Sequence, residues 1–99
     1  MDQVIDKIFD VAINHEKKSV IEITLKGTEE LGELAEAVLS YNNVPGCSYK
    51  NKTLQDINEE ACDVIIVAMS VLSKSGISKE EMKDMLNHKL DKWLAKTMI

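Results

Sequence analysis

Apolar positions in this chain recur every three to four residues in four separate blocks, the spacing of one buried face of an α-helix. Val4, Ile5, Ile8, Phe9 and Ala12 form the first face and predict a helix from about Asp2 to His15, ended by the polar stretch 16–19. Leu31, Leu34, Ala35, Val38 and Leu39 predict a second, from about Val20 to Tyr41. Gly27 and Gly32 interrupt it, each at a cost of about 1 kcal/mol of helix propensity against Ala. Gly32, beside several acids, is either a point of close backbone approach or simply tolerated. Residues 42–52, with Pro45, Gly46 and a cluster of Asn and Lys, read as the one long loop.

A third helix is expected from about Thr53 to Ser75. Thr53 is its N-cap, Asp56 stands three residues on in a variant capping box, and Gly76 follows as the residue that stops it. Ser78 and Glu81 form a second capping box, opening a fourth helix that runs to about Lys96. Met82, Met85, Leu86, Lys89, Leu90 and Trp93 would be its inner stripe. No alternating strand pattern competes with this reading, and one Pro and four Gly in 99 residues argue against a turn-rich β protein. The expected fold is all-α: one domain over residues 1–99, four-helix bundle-like. Ile66 and Met69 point away from the main stripe of the third helix, so that helix is apolar almost all round. A chain this short hardly covers such a helix alone, which predicts a bundle completed by homo-oligomerisation.

Charge narrows the function. The net charge is -5, with no arginine among the 12 basic residues. That excludes the basic footprint of a nucleic-acid or anionic-membrane binder. An acidic protein that handles anionic substrates needs cations to do so. The N-terminal stretch lacks the charged and apolar regions of a signal peptide, and the longest apolar run, residues 64–69, is too short to span a bilayer. Two cysteines without CxxC spacing, Cys47 and Cys62, read as reduced thiols, so a cytoplasmic location is expected.

The chemistry lies in the acids. On a wheel of about 100° per residue with Ile57 at zero, the apolar side chains of the third helix cluster around that direction. Glu60 falls at about 300°, inside the apolar arc, and Asp63 on its shoulder near 240°, whereas Glu59 points away. On the second helix, with Leu31 at zero, Glu30 and Glu33 lie along one shoulder, near 260° and 200°, while Glu29 and Glu36 take the opposite face. Two pairs of carboxylates therefore line one seam. A buried carboxylate must be neutralised, paired or bound to a cation. With no Arg available and no Lys within a turn of Asp63, four converging hard oxygen ligands point to Mg²⁺ or Mn²⁺. His15 and His88 sit in no Glu-x-x-His pair, which disfavours a di-iron carboxylate bundle.

The residues Glu30-Leu31-Gly32-Glu33, a spacer of 26 residues, and Glu60-Ala61-Cys62-Asp63 resemble the paired ExxE and ExxD signature of the MazG-type all-α nucleoside triphosphate pyrophosphohydrolases. The resemblance covers roughly residues 20–97. It implies an all-helical fold completed as a homodimer or homotetramer. It also implies Mg²⁺-dependent cleavage between the α and β phosphates, releasing a nucleoside monophosphate and pyrophosphate. Glu30, Glu33, Glu60 and Asp63 would be the metal ligands. Members often carry an Arg near the end of the last helix; here Lys89, Lys92 and Lys96 stand there instead.

A spare carboxylate could take the proton of the attacking water, with Glu33 the favoured candidate. Lys26, Lys50, Lys52 and Lys89 are the cations that could neutralise phosphate, and Trp93 could stack on a base, although an aromatic on an apolar stripe is commonly core. Rival readings are a non-catalytic helical oligomeric adaptor or regulatory module with a structural metal site, and a relative acting on another pyrophosphate bond, such as that of phosphoribosyl-ATP.

Overall fold

The computed structural model describes residues 2–46 and 51–98. It is all-helical, with no strand among the described residues. Four helices follow in order: α1 (Asp2–Asp10), α2 (Val20–Tyr41), α3 (Leu54–Lys74) and α4 (Lys79–Thr97).

Local chemistry sets the boundaries. Three helices open with complete reciprocal capping boxes: Ser19 with Glu22 on α2, Thr53 with Asp56 on α3, and Ser78 with Glu81 on α4. In each, the hydroxyl accepts from the backbone of the third residue while that residue's carboxylate accepts from the cap's own N–H, satisfying two orphan donors at once. These bonds hold the carboxyls of Glu22, Asp56 and Glu81 below their ordinary range. The caps of α3 and α4 were expected; that of α2 was not. Past α3, Gly76 takes φ +95, a left-handed conformation that lets the chain turn at once into α4.

The first helix departs from expectation. Regular α-structure ends at Asp10, and Val11–His15 forms a π turn, with the Glu16 N–H donating to the Val11 carbonyl at 2.8 Å. Lys74 Nζ donates to the Glu16 carbonyl at 2.6 Å, tying this turn to the end of α3.

The core is an antiparallel α2–α3 pair with α1 lying against α3. Gly27 of α2 faces Val67 of α3 so closely that a Cβ there would stand 3.0 Å from Val67 Cγ1. Gly32 faces open space. The close approach is therefore at Gly27, and Gly32 is merely tolerated. At the loop end of the pair, the buried Ser40 Oγ accepts from the Lys52 N–H at 3.0 Å and stitches the connection shut.

Two helices present a different face to the core than expected. On α2 the buried or half-buried positions are Ile23, Gly27, Glu30, Leu34, Ala37 and Ser40, while Leu31 is 58% exposed and Val38 and Leu39 also face outward. On α4 only Met82 is buried; Met85, Leu86, Leu90 and Trp93 of the expected inner stripe are exposed. The reason lies in the anchoring. Lys79 Nζ pairs with Asp6 at 2.7 Å and Lys83 Nζ with Asp2 at 3.1 Å, fixing the first turns of α4 to α1. Among the described residues, no hydrogen bond or ion pair holds the rest of α4 to another helix.

Two glycines in one helix should thus respond differently to substitution. Gly32→Ala is expected to gain up to about 1 kcal/mol of helix propensity, whereas Gly27→Ala loses that gain against Val67. Thermal or urea unfolding of the two variants should place Gly32→Ala above Gly27→Ala in stability.

Candidate metal centre

Small residues let α2 and α3 approach closely where the acids lie. Gly27 and Ala37 on α2, and Ala61 on α3, are small, so the helix backbones approach and the longer carboxylates between them are trapped. Glu30 is 8% exposed and Glu60 is half-buried; Asp63 and Glu33 lie towards solvent.

Carboxylate oxygens of Glu30, Glu60 and Asp63 all lie within 4.8 Å of one another. Three of the four acids expected from the two motifs therefore come together; Glu33 is near enough to Glu60 to act on its charge but lies outside this three-way group. Glu60 is at the centre, and its Oε2 is sealed from solvent with no hydrogen-bond donor in reach; among the described residues it is the one such side-chain atom. Burial raises its pKa above the ordinary carboxylate range. The neighbouring carboxylate of Glu33, and the charges of Asp63 and Glu30, push the same way.

One cation reaches the cluster. Lys26 Nζ lies 3.2 Å from Glu29 Oε2 and 3.4 Å from Glu30 Oε1, and these two acids, Glu29 first, hold its ammonium above the usual lysine range. No other Lys among the described residues forms an ion pair with Glu30, Glu33, Glu60 or Asp63. Lys26 was among the expected anion-binding residues; its bond to Glu30 was not foreseen, although the four-residue spacing on a helix permits it.

The remaining candidates do not gather here. Lys89 and Trp93 lie on the exposed distal part of α4, and neither bonds to an acid of the cluster. Lys50 lies outside the described residues. Among the excluded acids, Glu29 and Glu59 are exposed as expected.

This donor set fits a hard divalent ion. Three or four carboxylate oxygens, one of them buried and unpartnered, with a single lysine at the edge, form an electron-rich pocket that a cation would neutralise. Softer metals would call for thiolate or imidazole, and Cys62 lies exposed on the outer side of α3.

The raised Glu60 pKa carries a stability sign. The folded state holds that proton more tightly than the unfolded chain, so the contribution is fully present below the unfolded value of 4.5 and is lost as pH rises through the higher folded value. In metal-free buffer, Glu60→Gln should therefore be more stable than the wild type at neutral pH and level with it in mild acid, as read by urea unfolding across pH.

Comparison of the chain with family models, with curated proteins and with solved structures returns no match, so the reading of this centre rests on its own residues and geometry.

Proposed function

We propose that this protein is a Mg²⁺-dependent nucleoside triphosphate pyrophosphohydrolase, cleaving between the α and β phosphates of an NTP or dNTP to give the monophosphate and pyrophosphate. The observation that carries the reading is the meeting of Glu30, Glu60 and Asp63 within 4.8 Å around an unpartnered buried carboxylate oxygen. The likeness of the paired ExxE and ExxD motifs to MazG-type enzymes supplies the reaction class.

Glu30, Glu60 and Asp63 would hold the ion, Mg²⁺ or in its place Mn²⁺. Bound there, it would polarise the phosphate and lower the pKa of an attacking water. Glu33 stands beside Glu60 yet faces solvent, so it can accept the water's proton as attack on the α phosphorus releases pyrophosphate. Lys26 is the cation within one helical turn of the ligands and can meet a phosphate oxygen. Among the described residues no helix is long and apolar enough to cross a membrane. The exposed free thiol of Cys62 suits a reducing compartment, and we assign the protein to the cytoplasm.

The same reading includes a second copy of the chain. An 11.1 kDa compact monomer is expected to expose about 5,700 Å². This chain exposes 7438 Å². Its radius of gyration, 16.0 Å, also exceeds the roughly 13 Å of a compact domain this size. The excess surface, on the order of 1,800 Å² per chain, matches what an obligate oligomer buries. The apolar side chains left outside, Leu31 and Leu39 on α2 and Leu86, Leu90, Trp93 and Leu94 on α4, are the ones a partner would cover. A homodimer or homotetramer brings distal α4, with Lys89 and Trp93, against another subunit.

Two measurements test this. Incubation with a panel of NTPs and dNTPs plus Mg²⁺ should release pyrophosphate, and Glu60→Gln or Asp63→Asn should lower the rate by about a hundredfold or more, the value of several kcal/mol of charge stabilisation. If every nucleotide survives while Mg²⁺ still raises thermal stability, the protein is instead a helical adaptor with a structural ion. Light scattering on the eluting protein should give a mass of two or four chains, and Leu90→Asp with Trp93→Asp should shift it towards one.

A further inference from the structure

Glu30 is the most buried acid of the cluster, and among the described residues Lys26 is the cation paired with it. The ammonium sits 3.4 Å from Glu30 Oε1 and also 3.2 Å from Glu29 Oε2, a residue outside the cluster and exposed. It thus stands at the lip of the acid pocket, holding an inner carboxylate with one side and an outer one with the other. A divalent ion taken up by Glu30 would have to share that carboxylate with the Lys26 ammonium, and two like charges on one carboxylate repel. The lysine has its ammonium held by two glutamates of its own helix. It is half exposed, its four-carbon stem is flexible, and it borders a cleft of ≈ 160 Å³ lined by Glu16, Ile23, Val67 and Ser70, among others.

We propose that Lys26 is a built-in counter-ion for the acid cluster: it holds Glu30 while no divalent ion is bound, gives way when one arrives, and is then free to meet the anionic ligand. This inference rests on the metal-dependent reading above, in that the cluster must take a divalent ion. It goes beyond that reading because it makes metal entry an exchange of one cation for another. Without Lys26 the empty pocket would gather three carboxylates with no positive charge. With it, the acids are held near their liganding positions, and the ion displaces a side chain rather than ordering a repelling set. An ordinary surface pair at this spacing would do neither, since such pairs contribute little and are indifferent to metal.

The experiment is a Mn²⁺ titration by calorimetry, with thermal unfolding at zero and saturating Mn²⁺, on the wild type, Lys26→Met and Lys26→Arg. Lys26→Met should bind Mn²⁺ about two- to tenfold more tightly, the range set by loss of one competing charge pair. Its metal-free melting temperature should fall below that of the wild type, and the gap should close at saturation, where the lysine no longer holds Glu30. Lys26→Arg, which keeps the cation, should retain the metal-free stability and bind Mn²⁺ no more tightly than the wild type. Wild-type protein that binds Mn²⁺ while Lys26→Met binds it equally or more weakly overturns the role given to Lys26. So does a stability gap that persists at saturation. If the wild type and Glu60→Gln alike fail to bind Mn²⁺, it is the metal centre itself that falls.

Discussion

Glu60 enters the α2–α3 interface where an apolar side chain would ordinarily sit, and three further carboxylates close around it. Like charges so close repel, and the two inner carboxylates, Glu30 and Glu60, also lose hydration that nothing apolar returns. The helices nevertheless pack tightly there, because Gly27 lets α2 approach Val67 and the neighbouring positions are small. The result is a pair of helices whose closest packing and greatest electrostatic cost fall in the same few turns. Raised proton affinity at Glu60 and the ammonium of Lys26 are two ways in which the metal-free chain relieves that cost; a divalent ion would be a third, and the strongest.

The rest of the architecture serves this seam unequally. Capping boxes and the left-handed Gly76 define where helices start and stop, at little dependence on distant parts of the chain. Buried volume is concentrated between α1, α2 and α3. The fourth helix is anchored at its first turns by lysine–aspartate pairs and otherwise presents apolar side chains outward, as does one flank of α2. A single core of this size supports a small domain only modestly. The proposed assembly would cover this apolar surface, and a stability that depends on chain concentration would follow from it.

Under the proposed activity, the convergent acids would hold the ion, Lys26 would meet a phosphate oxygen and the accessible Glu33 would take the proton. Base and sugar would be chosen by groups at the far end of the nucleotide. Those groups would lie on the exposed distal α4 of another copy or in the α2–α3 loop. The proposed activity and the proposed assembly are therefore linked through geometry: one places the phosphates, the other would complete the walls.

Much was legible from the amino-acid order alone. Helix number and most boundaries follow from 3.6-residue periodicity and from Ser, Thr and Gly at the ends, all of which act within a few residues. Motif spacing pointed to Glu30, Glu33, Glu60 and Asp63, because two acids a turn apart on each helix can share one side; the structure brings Glu30, Glu60 and Asp63 together. Which face of α2 turns inward was not legible. Leu31, Ala35 and Val38 make an apolar stripe as good as that of Ile23, Leu34 and Ala37, and a wheel cannot rank two stripes when one belongs to the chain's own core and the other is left uncovered. The Lys26–Glu30 pair, at i,i+4 on one helix, was within reach of the sequence. The π turn after Asp10, the outward course of α4 and the inward face of α2 were not, because they depend on which helix lies opposite and how closely, as where Gly27 meets Val67.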